Sequence, residues 1–283
     1  KGWKVEDKTQ PTASSVAIKW INQKIDLIIE NLDNQFAEYR LSEALMSLYK
    51  LIWDDFCSWY LEIIKPAYQD TIDSLTYFAT INIFERLMQL LHPFMPFLTE
   101  EVWHILKDGE TSECIALSKM PEPICKNKDL LDKFDLAQEV VTSIRTIRTD
   151  KNIPNKESLT LYIKENEDKV DTTFNDVICK LVNLDKIEYT NENVTETFTF
   201  VIKSTEYFVS APSTVNIEEE IQKLKADLDY MKGFLKSVQK KLSNEKFVNN
   251  APEKVVNLER KKQSDAEAKI AVLQEQINNL KAE

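Results

Sequence analysis

A heptad repeat between Ile217 and Lys281 constrains the fold more than any other feature of this 283-residue sequence. Apolar residues recur there in alternating steps of four and three, which is the spacing of a coiled-coil seam. The first run comprises Ile217, Ile221, Leu224, Leu228, Met231, Leu235, Val238 and Leu242, and the second comprises Val256, Ala266, Ile270, Leu273, Ile277 and Leu280. Glu259 and Gln263 are polar at two seam positions of the second run. The pattern predicts two long amphipathic helices.

The two runs are separated by the segment Asn249-Asn250-Ala251-Pro252. Asparagine favours turns, and proline cannot continue a helix because it has no backbone N–H to donate. Since the two runs have nearly equal length, we expect them to fold back on one another as an antiparallel hairpin, roughly 45 Å long at 1.5 Å per residue.

Basic residues gather on both sides of this break. They are Lys232, Lys236, Lys240, Lys241, Lys246, Lys254, Arg260, Lys261 and Lys262, opposed there by Glu245, Glu253 and Glu259. The chain as a whole has a net charge of −11, so the cationic tip is a local feature of an acidic protein. Such a tip predicts contact with a polyanion. The charge pattern alone leaves open the alternative that these lysines are the solvated flanks of a coiled coil.

The residues around the break carry a more specific signal. The run KKLSNEKFVNNAPEKVVNLERKK closely resembles the C-terminal coiled-coil arm of valyl-tRNA synthetases, which contains a similar K-L-x-N-x-x-F-x-x-x-A-P-x-x-V-V segment. The resemblance implies that the arm contacts the outer corner of the L-shaped tRNA, where the D and T loops meet. The candidate contacts to the tRNA backbone are Lys236, Lys240, Lys241, Lys246, Lys254 and Arg260. Phe247 is a candidate to stack on a base or to fix the conformation of the turn, and we favour the second interpretation.

Helical periodicity also dominates the first half of the chain. Apolar residues follow it over residues 13–32, 42–64, 72–91 and 99–106, which predicts an antiparallel bundle, and over a further helix at 130–149. Asp33-Asn34 is expected to end the first helix and Pro66 the second. Ser42 is a candidate N-cap.

Three segments of this half resemble the same family. WDDFCSWYLE (53–62) and LHPFMPFLTEEVWHIL (91–106) look like parts of the anticodon-binding domain of class I valyl, leucyl and isoleucyl synthetases. VTSIRTIRTDKNIP (141–154) is similar to the helix that follows the bundle in valyl enzymes. The resemblance implies a parent enzyme that attaches valine to its tRNA with ATP and Mg²⁺. The family's H-I-G-H and K-M-S-K-S signatures do not occur here, so we expect a fragment without a catalytic site or a cofactor of its own.

The periodicity changes to strand-like alternation between these two helical parts. Strands are predicted at 158–164, 186–190, 197–203 and 207–210, with a helical pattern at 170–181 between the first two. The predicted fold class is therefore mainly α: a helical bundle, a small α+β unit and a coiled-coil hairpin. The predicted organisation is a tail or cut edge at 1–12, the bundle at 13–150, the α+β unit at 151–213 and the arm at 214–283.

Composition excludes several other classes of function. Three isolated glycines cannot build a phosphate-binding loop. The four cysteines form no C-x-x-C pair, and no run of about twenty apolar residues occurs, which favours a cytoplasmic protein outside the membrane. His92 and His104 have no nearby cluster of carboxylates or thiols, so no metal site is predicted.

Two further groups have both a functional and a structural interpretation. Arg145 and Arg148, three residues apart on one helix, could form a basic ridge that contacts phosphate, or could pair with surface carboxylates. The aromatic group Trp53, Phe56, Trp59 and Tyr60 could stack on bases, although aromatic residues at helical spacing are more often core.

Two hypotheses follow. The first is the tRNA-binding region of a valine–tRNA ligase, acting as a monomer on valine tRNA. The second is a coiled-coil module for partner docking or oligomerisation without an RNA role, in which another chain fills the polar seam positions Glu259 and Gln263.

Overall fold

The computed structural model describes residues 4–107, 114–124, 129–164, 171–191, 194–212, 217–243 and 253–280. The helices are α1 (Thr12–Ala37), α2 (Leu41–Lys50), a π-helix (Leu51–Tyr60), α3 (Leu61–Ile64), α4 (Ser74–Leu91), α5 (Pro96–Leu106), a short 3-10 helix (Ile115–Leu117), α6 (Asp129–Asp150), α7 (Asn175–Val182), α8 (Ile217–Leu242) and α9 (Glu253–Leu280). The strands are β1 (Val5–Glu6), β2 (Ile72–Asp73), β3 (Leu159–Lys164), β4 (Leu184–Thr190), β5 (Thr197–Ile202) and β6 (Thr205–Ser210). The predicted fold class is confirmed. None of the helices, over the residues described, is long and apolar enough to cross a bilayer.

The chain divides into two compact units. The first comprises Lys1–Val141 and Asp171–Leu181, and the second comprises Thr142–Val170 and Val182–Glu283. The first unit is the helical bundle, and the second holds the larger sheet and the hairpin. The domain boundaries from the sequence stay predictions, although α7, which they place in the α+β unit, groups with the bundle by its contacts.

The first helix of the bundle is longer than predicted. α1 runs through Asp33 and Asn34 to Ala37, so the expected break is wrong. The side chains of Asp33 and Asn34 are exposed, and the Asn34 amide donates to the Glu30 carbonyl at 3.1 Å. Exposed polar residues cost a helix only a fraction of a kcal/mol, so the packing of the apolar side of α1 carries the helix past them.

The second predicted helix is continuous from Leu41 to Ile64, and its end before Pro66 is confirmed. Its central ten residues have π-helical hydrogen bonding, which the apolar periodicity did not indicate. The Ser58 hydroxyl donates to the Trp53 carbonyl at 2.9 Å, five residues earlier, which matches the wider turn. Ser42 is not the N-cap, because the helix begins one residue before it.

The aromatic core of the bundle centres on Phe134 of α6. Its ring stacks on Trp20 with a centroid distance of 3.7 Å and meets the rings of Phe174 and Trp59 edge-on at 5.2 and 5.8 Å. These contacts join residues that lie far apart in the sequence, and they explain why the segment before α7 belongs to the bundle.

The first residues of the described chain are bound to the bundle. Val5–Glu6 pairs in parallel with Ile72–Asp73, and the Lys8 ammonium lies 3.0 Å from the Asp70 carboxylate. Part of the segment 1–12, which the sequence predicts as a tail or cut edge, is therefore held to the bundle by backbone pairing.

The larger sheet has the strand order β4-β3-β6-β5. β3 pairs in parallel with β4 and antiparallel with β6, and β6 pairs antiparallel with β5. All four predicted strands are confirmed, and two of them begin two residues earlier than predicted. The inward residues Leu161 and Val209, which are register partners, are fully buried.

The two heptad runs form the predicted antiparallel hairpin. Leu228 of α8 is buried with Leu273 and Ile277 of α9, while Lys241, further along α8, lies beside Glu259, earlier in α9. The residue number of the contact rises on α8 while it falls on α9, so the two helices are antiparallel. α9 also lies against β5.

Gly233 offers a direct test of the stability of α8. A Cβ added there would meet nothing within 4 Å, and the residue lies inside the helix. We expect Gly233→Ala to stabilise the hairpin by about 0.5–1 kcal/mol, because alanine loses less backbone entropy on folding. The measurement is thermal unfolding followed by helical circular dichroism. Ala226→Gly, at an exposed position of the same helix, should produce a shift of the opposite sign.

Candidate nucleic-acid interface

The end of the hairpin near the turn presents a surface rich in cations. Its exposed basic residues are Lys232, Lys236, Lys240 and Lys241 on α8 and Arg260 and Lys261 on α9. Over the described residues 230–243 and 256–262, the one acidic side chain is Glu259, and it is buried. The exposed charged side chains of these residues are therefore all cationic, which suits contact with phosphate groups.

Four of the residues predicted to contact tRNA lie on this surface: Lys236, Lys240, Lys241 and Arg260. Lys240 and Lys241 occupy the last turn of α8, where the unpaired carbonyl groups of the helix end favour a positive charge. Lys246 and Phe247 lie outside the described residues, as does the side chain of Lys254. Their roles stay predictions.

Glu259 adds a feature that the charge pattern did not indicate. Its carboxylate accepts a hydrogen bond from Lys262 at 2.8 Å and lies 3.9 Å from the Lys241 ammonium on the facing helix. The hydrogen bond from Lys262 is the largest influence that lowers the pKa of the Glu259 carboxyl, so the charged form occupies the seam. Lys241 consequently has a contact within the hairpin besides its predicted contact with RNA.

The two arginines of α6 have different environments. Arg145 is exposed, but Arg148 is 4% exposed, and its guanidinium donates to the carbonyl groups of Pro154, Glu157, Val182 and Asn183 at 2.8–3.2 Å. Burial lowers the pKa of the Arg148 guanidinium against a smaller opposing influence from Glu157. The predicted two-arginine ridge is corrected: the Nη1 and Nη2 groups of Arg148 donate to carbonyl groups inside the protein, and its Nε is buried, which leaves Arg145 as the surface candidate.

The aromatic residues of the second helix have different degrees of exposure. Phe56 and Tyr60 are buried, which confirms the core interpretation for them, and burial raises the pKa of Tyr60 to about 12. Trp53 is 59% exposed and stacks on the exposed Tyr49, with a centroid distance of 6.4 Å. The core interpretation is wrong for Trp53, because the position is on the outer side of the helix.

The histidines take part in local polar contacts. The His92 Nδ1 lies 2.7 Å from the Thr99 hydroxyl, and the His104 Nε2 lies 3.1 Å from the Glu100 carboxylate one turn away. Over the part of the chain that the structure describes, no three His, Cys, Asp or Glu side chains group in a way that could hold a metal ion.

Two family models match different parts of the chain. Residues 18–163 match the family model of the anticodon-binding domain of tRNA ligases, which is just over half of the sequence. Residues 216–281 match the model of the valyl-tRNA synthetase tRNA-binding arm, and these residues include both helices of the hairpin. The chain belongs to the valyl-tRNA synthetase family.

Individual members of the valyl-tRNA synthetase family are similar over nearly the whole chain. The valine–tRNA ligase of Parabacteroides distasonis is 47% identical over 278 residues, which is 98% of this chain and 32% of that protein. The enzyme of Porphyromonas gingivalis is 47% identical over 283 residues, again 32% of its length, and that of Bacillus subtilis is 34% identical over 278 residues. The chain thus spans about a third of the length of the curated relatives it matches. The two matching models describe an anticodon-binding domain and a tRNA-binding arm.

Proposed function

We propose that this chain is the part of a valine–tRNA ligase that holds tRNA for aminoacylation. The observation that carries the proposal is the exposed cationic end of the hairpin, within the residues that match a tRNA-binding arm. The whole enzyme would activate valine with ATP and transfer it to the 3′ end of valine tRNA in the cytoplasm. ATP and Mg²⁺ would be used by a catalytic part of that enzyme, and we assign no residue of this chain to them.

The geometry of the hairpin supports this role physically. Two helices packed along an apolar seam form a stiff element, and the exposed cations of α8 and α9 near the turn can approach phosphate groups. Lysine contacts of this kind recognise the shape and backbone of a folded RNA rather than its sequence. Specificity for the valine isoacceptors would come from the anticodon-binding bundle or from other parts of the enzyme.

Binding of the isolated chain to tRNA tests the proposal. Fluorescence anisotropy with labelled valine tRNA should show association at low ionic strength that weakens as salt rises, because phosphate contacts release counterions. An unstructured RNA of equal length serves as the control, and a folded tRNA should bind more tightly than this control. The proposal fails if the chain does not bind tRNA at about 50 mM salt, or if tRNA and the unstructured control RNA bind with equal affinity.

Oligomerisation through the hairpin is the second candidate function. The contact of the buried Glu259 with Lys241 and Lys262 of its own chain disfavours this candidate, because the polar seam position already has partners. Light scattering on the purified chain separates the two: we expect the mass of a monomer, and a concentration-dependent dimer would favour the oligomerisation function.

A further inference from the structure

The apolar seam of the hairpin does not by itself define one alignment of the two helices. Seam positions repeat every seven residues on α8 and on α9, so sliding one helix by a heptad still places apolar residues opposite one another. Such a slide moves the facing residues by about 10 Å along the axis at 1.5 Å per residue. A non-repeating contact is needed to select one register.

Glu259 and Lys241 supply that contact. Lys241 lies 13 residues after Leu228, and Glu259 lies 14 residues before Leu273, so the ion pair and the apolar cluster lie in the same register. Glu259 is 6% exposed, and its Oε2 atom has no hydrogen-bond partner among the described residues. The Lys241 ammonium, 3.9 Å from that oxygen, is the cation on the facing helix that offsets its charge.

The neighbouring register lacks this compensation. If α9 slid by one heptad along α8, Glu259 would face Phe234 and Leu235 instead of Lys241. A slide in the other direction would place Glu259 beyond Leu242, where α8 ends. In the first case the carboxylate would keep Lys262 of its own helix but lose the cation of the facing helix, so its buried Oε2 atom would lie beside apolar side chains without compensation, which is unfavourable.

We propose that Glu259, through Lys241, is the positioning residue that fixes the register of α8 against α9. The register in turn sets which cations stand next to one another at the end of the hairpin. The part of this inference that concerns register is independent of RNA, whereas its consequence for tRNA binding rests on the proposed function.

Gln263 provides a matched control within the same seam. Its side-chain amide donates to Glu267, one turn away on its own helix, at 2.8 Å. Glu259→Leu and Gln263→Leu therefore both replace a polar seam residue with an apolar one, but the first removes the ion pair with the facing helix and the second does not.

The test measures register directly, with spin labels at Gln222 and Ser264 of the full chain. Both positions are exposed, and they lie at different heights along the hairpin, so a one-heptad slide changes their separation by up to about 10 Å. The labels require a background in which Cys57, Cys114, Cys125 and Cys179 are replaced, and its circular dichroism should match that of the parent.

We expect a single distance between the two labels in the parent and in Gln263→Leu, and a second distance population in Glu259→Leu. This second population should appear although an apolar residue in the seam raises the melting temperature of Glu259→Leu. The exchanged pair Glu259→Lys with Lys241→Glu should restore a single distance. Valine tRNA should bind Glu259→Leu more weakly than Gln263→Leu.

A single unchanged distance for Glu259→Leu, or a second population in both leucine variants, overturns the assignment. Register loss without an effect on tRNA would contradict the proposed function of the arm and leave the assignment of register intact.

Discussion

Arg148→Met is expected to lower the free energy of unfolding of the unit that holds the sheet by about 3–5 kcal/mol, because it removes four hydrogen bonds from a charged donor and takes this donor from the buried Val182 carbonyl. The Arg148 guanidinium donates to carbonyl groups on both sides of the β3 strand in sequence: Pro154 and Glu157 before it, Val182 and Asn183 after it. Methionine retains much of the apolar stem but none of the donors. The contacts thus tie the end of α6 to the start of β4.

Hydrogen exchange of the amides in β3 and β6 measures this loss where it occurs. The five tryptophans of the chain all precede residue 141, so tryptophan fluorescence reports on the bundle instead. Arg148→Lys should recover only part of the protection, because an ammonium group cannot reproduce the planar fork of donors. Arg145→Ala, at an exposed position of the same helix, should change stability by no more than about 0.5 kcal/mol. If Arg148→Met and Arg145→Ala lowered stability by the same amount, the result would contradict the buried role of Arg148.

Neutralising Lys236, Lys240 and Arg260 together is expected to weaken tRNA binding roughly 1,000-fold at 0.1 M salt, since each phosphate contact contributes about tenfold there. The slope of log affinity against log salt should become shallower by about three, one for each lost contact. The variant is Lys236→Gln, Lys240→Gln and Arg260→Gln. Lys241 is kept because its pairing with Glu259 would mix a change of register with a change of charge.

A control with the same change in net charge separates contact from general attraction. Lys119, Lys156 and Lys203 are exposed and lie outside the hairpin, so their triple glutamine variant alters the net charge equally. Its salt slope should remain that of the parent. Identical losses of affinity in the two triple variants would show that overall charge governs the association and that the end of the hairpin is not the contact.

Periodic features of the sequence predicted the fold well, because burial on one side of a helix or strand imposes them directly. The heptads gave both hairpin helices, and alternation gave the four strands of the larger sheet. The π-helical turn between Leu51 and Tyr60 could not be predicted in this way, since a stripe of apolar residues is compatible with bonding to either the fourth or the fifth residue. The predicted break at Asp33-Asn34 failed because local preference there is weaker than the packing of α1.

The candidate interface was predictable only where it consists of exposed charge. The lysines at the end of α8 follow from composition near a turn, but the burial of Arg148 depends on carbonyl groups up to 35 residues away. Glu259 was visible as a polar residue in an apolar seam, and its partner could have been found by counting equal distances from the turn. The exposure of Trp53 required the positions of the neighbouring helices, which one periodic segment does not contain.

The strand order β4-β3-β6-β5 places β4 and β5 at the edges of the sheet, and different features of the two strands limit their pairing with other chains. β4 carries the exposed charges Asp185 and Lys186, which discourage edge-to-edge pairing between molecules. β5 instead has α9 lying against it. A chain shortened before α8 would therefore lose the helix that lies against β5 as well as the proposed RNA contact. The uncovered strand would favour aggregation, so poor recovery of such a truncation would reflect this exposure rather than failure of the sheet to fold.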